Sequence, residues 1–237
     1  KVATSLELNG VAGPVVAEIS VLSPVSAFAQ LASVRAETER AASNRAERIM
    51  LGVTPGFTVT DEAPLVIGVD EAGRGPLAGP VVAAAVVLGR AIPAGLDDSK
   101  RLSAKRRAVL DEAIRAHACW AVAVVEPDEI DAVNIFQATM LGMTRAVASL
   151  TAALGGPLCE VLIDGNMTPQ GRCAEWCWPA RAIVGGDGIE PAISAASIIA
   201  KEWRDRLMLE AAAQHPHYGW ERNKGYGTAE HMEALRV

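Results

Sequence analysis

Four acidic residues stand at the ends of short apolar runs, and their types and placement are the strongest hint of chemistry in this chain. They are Asp70, Glu71, Asp164 and Asp187. A side chain at the end of a buried strand lies at the rim of the sheet, where open α/β sheets bind ligands. Carboxylates gathered in a cleft repel one another unless divalent cations supply the opposite charge. The pattern therefore predicts a metal site.

The ligand chemistry narrows the choice of metal. Ligands that are all carboxylate oxygens favour Mg²⁺ or Mn²⁺ over zinc. Two such ions ~3.5–4 Å apart can stabilise both the attacking and the leaving oxygen of a phosphoryl displacement. A single Asp after a strand is more often a turn former or a helix cap. The hypothesis of a metal site therefore depends on the presence of acidic residues at three strand ends, and not on any one of them.

A glycine-rich turn directly follows the first pair of acids. Gly73, Arg74 and Gly75 come two residues after Glu71. Glycine allows a backbone to approach a ligand closely, and successive amides can bind oxygen atoms. Arginine offers a planar fork of donors that suits phosphate. Most Gly-Arg-Gly triplets are simple turns, but one joined to an acidic strand end favours a binding loop.

Apolar runs and caps predict the elements that must position these residues. We predict strands over 65–69, 81–88, 120–125, 158–163 and 181–184, and helices over 104–117, 135–153 and 193–213. Such an alternation predicts an α/β fold with a mixed central sheet flanked by helices. We place a domain boundary near residue 64. Residues 1–64 are then an extension, partly helical (27–50) or poorly ordered, and 65–237 are one catalytic domain.

Composition excludes several classes of protein. The 237 residues are 50% apolar and 21% charged, which excludes a disordered chain. Four cysteines do not predict a disulfide scaffold, and no apolar run approaches the ~18 residues that span a bilayer. We therefore expect a cytoplasmic protein. The net charge of −6 argues against a nucleic-acid partner unless the acids sit where cations bind.

Several long segments agree in order and spacing with one known family. They are 68–82 (GVDEAGRGPLAGPVV), 98–103 (DSKRLS), 126–140 (EPDEIDAVNIFQATM), 164–166 (DGN), 193–201 (ISAASIIAK) and 224–228 (KGYGT). Over residues 65–231 the chain resembles bacterial ribonuclease HII, a type 2 ribonuclease H. The resemblance implies a ribonuclease H-like fold.

The resemblance also implies an activity. Members are metal-dependent endoribonucleases that cleave the RNA strand of RNA–DNA hybrids and nick duplex DNA 5′ of single ribonucleotides. The products carry 3′-hydroxyl and 5′-phosphate ends, and the work belongs to ribonucleotide excision in DNA replication and repair. Two divalent ions, Mg²⁺ or Mn²⁺, are implied. We expect a monomer with nucleic-acid partners and no membrane, and contact with a replication clamp is left open.

Roles for individual residues follow from the same resemblance. Asp70, Glu71, Asp164 and Asp187 are implied to be the catalytic and metal-binding residues. The implied substrate-binding residues are Gly73, Arg74, Gly75, Lys100, Ser194, Lys201 and Tyr226. The loop 73–75 would read the ribose 2′-hydroxyl, the group that distinguishes RNA from DNA. Tyr226 would stack at the following sugar, and Lys100 would contact phosphate.

The chain also departs from the family pattern. Gly185 stands where the family usually has lysine, and the chain ends at Val237, where the family continues with a further helix. We therefore expect a domain truncated at its C-terminus. Cys173 and Cys177 could bind zinc only with two further ligands. Two alternative functions stay open: another nuclease on this fold, of the resolvase or integrase type, and a non-catalytic hybrid-binding protein.

Overall fold

In the computed structural model, the chain is described over residues 49–55, 57, 65–89, 92–156 and 159–236. The strands are β1 (Ile49–Gly52), β2 (Leu65–Ala72), β3 (Val81–Leu88), β4 (Ala118–Val125), β5 (Cys159–Asp164) and β6 (Ala180–Ile183). The α-helices are α1 (Ala104–His117), α2 (Pro127–Val133), α3 (Ile135–Ala153), α4 (Pro191–Gln214), α5 (Trp220–Asn223) and α6 (Ala229–Ala234). Short 3₁₀ turns cover Gly186–Gly188 and Pro216–Tyr218.

The six strands form one mixed sheet in the order β1-β4-β3-β2-β5-β6. Strand β2 pairs antiparallel with β3 and parallel with β5, and β5 pairs parallel with β6. Parallel strands end at the same edge of a sheet, so the carboxyl ends of β2, β5 and β6 lie side by side. The predicted acidic residues all lie at this edge or just beyond it.

Helices cover both faces of the sheet because strand side chains alternate between the two faces. In β3, Ala83, Ala85 and Val87 pack in the cluster that includes Met140 and Leu150 of α3. The intervening β3 residues pack in the opposite cluster, with α1 and α4. A strand covered on both faces is apolar throughout, and all of β3 except Leu88 is buried.

Every strand and helix predicted from residue 65 onward is present, although several of their bounds differ from the prediction. Helices α1 and α3 have the predicted bounds, while α2, α5 and α6 were not predicted. Residues 49 and 50 belong to β1, although the sequence predicted a helix over 27–50, the rest of which lies outside the described residues. Strand β2 extends to Ala72, so Asp70 and Glu71 lie within it rather than after it. The boundary near residue 64 stays a prediction.

The four cysteines are free thiols. Cys119 and Cys159 are buried in the sheet, as expected for small apolar residues, whereas Cys177 is exposed. The sequence disfavoured zinc binding by Cys173 and Cys177, and neither belongs to the group of metal-ligating side chains found among the described residues. Within the described ranges, none of the helices combines the length and the apolar character needed to cross a bilayer.

Candidate active site

Three carboxylates from separate parts of the chain meet at the edge where β2, β5 and β6 end. Asp70 comes from β2, Asp164 is the last residue of β5, and Asp187 lies in the turn after β6. One oxygen atom of each lies within 4.8 Å of the others. Asp70 and Asp187 are buried, while Asp164 is partly exposed. Three converging oxygen atoms of this kind can hold a divalent cation.

The turn that carries Asp187 is held from behind by the start of α4. The Ser194 hydroxyl donates to the Asp187 carbonyl oxygen at 2.6 Å, and the Asp187 amide lies 3.4 Å from Asp164 Oδ1, to which it donates. Gly185 opens the turn with φ +68°, a conformation that favours glycine over the lysine usual in the family. Ser194 is buried, so its observed contacts position Asp187, and its predicted contact with substrate stays untested.

Burial and the crowding of negative charge raise the pKa values of the carboxyl groups in the site. Burial, together with the neighbouring Glu71 and Asp164 carboxylates, raises the pKa of Asp70 well above its usual value, against a lowering hydrogen bond from Ser197. Burial and Asp164 also raise the pKa of Asp187. Burial raises the pKa of Glu71 as well, although Arg74 acts against this rise. Among the residues that the structure describes, the positive charges beside these carboxylates do not balance them when all are ionised.

Lys100 brings a positive charge to the three-carboxylate group. Its Nζ lies 3.6 Å from Asp187 Oδ2, and its side chain is largely exposed. Partial burial acts to lower the pKa of Lys100, but the surrounding carboxylates, Asp70 foremost, outweigh burial and raise it. The lysine therefore stays charged at neutral pH. One exposed ammonium does not neutralise the buried carboxylates, and the oxygen donors fit a divalent metal.

A cleft of about 160 Å³ opens beside the carboxylates. It is lined by Asp70, Glu71, Ala72, Gly73, Arg74, Gly75, Ser99, Lys100, Asp164, Ser197, Lys201, Arg204 and Tyr226. The structure thus brings together every predicted substrate-binding residue except Ser194. Glu71 faces this cleft but is not part of the three-carboxylate group found among the described residues.

The glycine-rich loop and Tyr226 form one wall of the cleft. Gly73 has φ +107°, and a Cβ atom there would lie 2.5 Å from Arg204 Nε. A Cβ atom at Gly75 would lie 3.6 Å from Cε1 of Tyr226, so the ring lies beside the loop. The Arg74 guanidinium lies over the Phe136 ring, 5.9 Å from its centroid. The glycine-rich loop and the Tyr226 ring are therefore placed to contact the same part of a ligand.

Three lining residues escaped the sequence analysis. The Ser197 and Ser99 hydroxyls share a hydrogen bond of 2.9 Å beneath Asp70, and Arg204 lies under the glycine-rich loop. On α4, Ser197 lies four residues before Lys201, and Arg204 lies three residues after it. The types of these two residues alone give no functional signal. Only the tertiary fold brings them to the cleft.

Two further basic residues of this region, Arg107 and Lys201, are engaged in ion pairs. Arg107 is buried, and its guanidinium donates to Glu202 at 2.7 Å and to the Ser99 carbonyl at 3.1 Å. It thereby anchors the loop that carries Lys100 to α4. Lys201 lines the cleft, but its Nζ pairs with Asp205 Oδ1 at 2.6 Å. Its predicted phosphate contact therefore competes with an ion pair.

Comparison with known proteins finds close similarity to one family. The family model described as Ribonuclease HII matches residues 67–237. A curated relative from Erythrobacter litoralis, named Ribonuclease HII, is 70% identical over 172 residues, which cover 73% of this chain and 81% of that protein. The chain is thus similar to ribonuclease HII over nearly all of the part that forms the sheet.

Solved structures show the same fold. The chain is similar to the ribonuclease in "Structure of the PCNA:RNase HII complex from Archaeoglobus fulgidus". The TM-score is 0.59 and the identity 27%, with 73% of this chain and 87% of that chain covered. A second structure, Bst-RNase HIII in complex with Mn²⁺, gives a TM-score of 0.55 at 21% identity, covering 75% of this chain and 71% of that chain. The predicted ribonuclease H-like α/β fold is confirmed.

Proposed function

Because this chain belongs to the ribonuclease HII family and is therefore a metal-dependent endoribonuclease, we propose that it hydrolyses the RNA strand of RNA–DNA hybrids and nicks duplex DNA 5′ of single ribonucleotides. The observation that carries the proposal is the convergence of Asp70, Asp164 and Asp187 within 4.8 Å, next to a glycine-rich loop. The carboxylates would hold the metal, and the loop would select the sugar.

The reaction is hydrolysis of a phosphodiester. The oxygen of water bonds to phosphorus, the bond from phosphorus to the 3′-oxygen breaks, and the products are a 3′-hydroxyl and a 5′-phosphate. Two divalent ions, Mg²⁺ or Mn²⁺, would promote the attack of water and offset charge on the leaving oxygen. Asp70, Glu71, Asp164 and Asp187 would hold these ions. Lys100, whose largely exposed side chain lines the cleft, would contact a phosphate.

Recognition of the ribonucleotide is assigned to the wall of the cleft. Gly73 and Gly75 bring backbone groups close to the substrate, where the 2′-hydroxyl can donate and accept hydrogen bonds. The Tyr226 side chain is 49% exposed and its ring lies beside Gly75. That placement supports stacking on the sugar next to the one that the loop reads. A nuclease of the resolvase type would have no need for such a sugar sensor.

One assay tests the proposal directly. The purified protein is given three duplexes, one with a single ribonucleotide, one RNA–DNA hybrid and one all-DNA, each with and without Mg²⁺ or Mn²⁺. We expect metal-dependent cutting of the first two only. Asp164→Asn should lower kcat by at least ~100-fold, because it removes one of the carboxylates that would hold the divalent ions.

Glu160→Gln provides the matched control. Glu160 lies on the same strand, but its carboxylate is 45% exposed and pairs with Arg181 outside the cleft. We expect this variant to cut at the wild-type rate. Equal cutting of all-DNA duplex would favour the resolvase-type alternative, and stable hybrid binding without cutting would favour the non-catalytic one.

A further inference from the structure

Two loops from distant parts of the chain meet at the wall of the cleft. We call residues 73–80 the ribose loop and residues 224–228 the tyrosine loop. The amides of Leu77 and Ala78 both donate to the Gly225 carbonyl, at 2.9 and 3.3 Å. A Cβ atom at Gly225 would overlap the Ala78 carbonyl, so the two backbones lie in close contact. Their separation therefore fixes where Tyr226 stands relative to Gly75.

Arg204 of α4 joins the two loops from below. Its side chain is 1% exposed. Nε donates to the Pro80 carbonyl at 3.0 Å and Nη2 to the Ala78 carbonyl at 3.0 Å, both in the ribose loop. Nη1 donates to the Lys224 carbonyl of the tyrosine loop at 2.9 Å. One guanidinium thus holds three backbone carbonyls in fixed positions.

We propose that Arg204 is a positioning residue, which sets the spacing of the ribose and tyrosine loops and through it the selectivity for a ribonucleotide within DNA. The part of this proposal that concerns selectivity rests on the proposed function, whereas the part that concerns the spacing of the two loops does not. The ribose loop closes directly over the guanidinium, because a Cβ atom at Gly79 would lie 3.3 Å from Nη2. Arg204 donates to the backbones of both loops.

The chemistry of the site explains why arginine is needed. A buried guanidinium loses the hydration of its charge, and the three carbonyls replace part of it. Its planar fork reaches acceptors in different directions, whereas the ammonium of lysine is a point charge on a flexible stem. Burial lowers the pKa of Arg204, but an arginine stays protonated at any physiological pH. The contact therefore acts as a fixed spacer and not as a pH switch.

The test compares two conservative variants. Arg204→Lys keeps the charge but loses the fork, and Arg145→Lys makes the same change at a side chain that is 12% exposed and pairs with Glu129. For Arg204→Lys we expect kcat/KM to fall ~10–100-fold on a duplex with one ribonucleotide, because a shift of about 1 Å in a positioned group has that effect. On a long RNA–DNA hybrid the fall should be much smaller. Arg145→Lys should leave the ratio of the two rates unchanged.

Hydrogen–deuterium exchange provides a readout that does not depend on activity. In Arg204→Lys, amides of residues 73–80 and 224–228 should exchange faster, while those of β5 should not change. Arg204→Gln, which keeps two donors without charge, should show the same pattern. The proposal is overturned if Arg204→Lys matches Arg145→Lys in both readouts.

Two further outcomes separate this proposal from the function on which it rests. If the wild-type protein cuts neither substrate, the proposed function and the role in selectivity fail together, and exchange alone decides whether Arg204 joins the loops. If both Arg204 variants lose the whole fold, the proposal also fails. Arg204 would then serve the stability of the domain and not the spacing of two loops.

Discussion

Asp70 is the residue at which stability and chemistry conflict most directly. It is 4% exposed, and burial with neighbouring carboxylates raises its pKa well above the usual value. Above the usual pKa of an aspartate, the folded metal-free chain therefore bears a cost at Asp70, either as a buried charge or as a retained proton. Active sites often retain groups of this kind because function requires them.

The first prediction concerns Asp70→Asn. Without metal and at neutral pH, this variant should be more stable than the wild type, since the amide removes the buried charge. The melting temperature should rise by ~2–4 °C for each kcal/mol of repulsion removed. The measurement is thermal unfolding in excess chelator. Glu112→Gln, at an exposed position on α1, should show no such rise, and a lower melting temperature for Asp70→Asn would contradict the account.

At the scale of elements, the contact between β2 and the start of α4 determines the shape of the site. A Cβ atom at Gly68 would overlap backbone atoms of Ala192 and Ile193. Strand and helix therefore touch backbone to backbone, directly behind Asp70. The same helix carries Ser194, which holds the Asp187 turn, and Arg204, which lies under the ribose loop.

Gly68→Ala should therefore disturb both fold and site. The extra methyl group must push α4 away from β2, and we expect a loss of ~1–3 kcal/mol in the free energy of unfolding. Cutting should fall as well, because the carboxylates separate. Gly188→Ala is the control for stability, since a Cβ atom there meets nothing within 4 Å. Denaturant unfolding of both variants decides, and equal stability would refute a tight contact.

Sequence alone predicted the elements that carry their own local signals. Helices α1 and α3 were predicted with the observed bounds, because Ser103 signals the start of α1 and an apolar stripe runs along α3. Strand β1 was missed because it is short and is stabilised by pairing with β4, far along the chain. The resemblance to ribonuclease HII was confirmed, since it depends on long motifs.

The sequence predicted the acidic residues of the candidate site but not the residues that only the folded chain brings to it. Acids at strand ends signalled Asp70, Asp164 and Asp187, which the structure brings together. Arg204 gave no signal, because its acceptors are backbone carbonyls at positions 78, 80 and 224, which only the folded chain brings near it. Ser194 was assigned to substrate, but its hydroxyl is bonded to the Asp187 carbonyl.

For the whole molecule, charge links metal, pH and stability. The chain has a net charge of −6, and part of the excess lies in the buried cluster. The folded metal-free chain keeps protons on Asp70, Glu71 and Asp187 that the unfolded chain has already released. The unfolded state then binds fewer protons, so stability falls as the pH rises above ~4 through the raised pKa values.

The last prediction follows from that sign. A divalent metal binds the deprotonated carboxylates, so the rise in melting temperature caused by Mg²⁺ or Mn²⁺ should be small near pH 4 and grow toward neutral pH. Thermal scans with and without metal across this range provide the measurement. Asp187→Asn should reduce the rise at neutral pH. A metal effect that does not vary with pH would show that these carboxylates are not the ligands.

The hydrogen bonds from Arg204 to Pro80 and Lys224 also have a consequence for synthesis of the protein. The ribosome makes the tyrosine loop after the ribose loop and after all four predicted catalytic carboxylates. A nascent polypeptide that lacks residue 224 thus has no completed sugar sensor, even when all four predicted catalytic carboxylates have been synthesised. During translation, the residues that would cut the substrate are therefore made before the loop that would complete selection of the ribonucleotide.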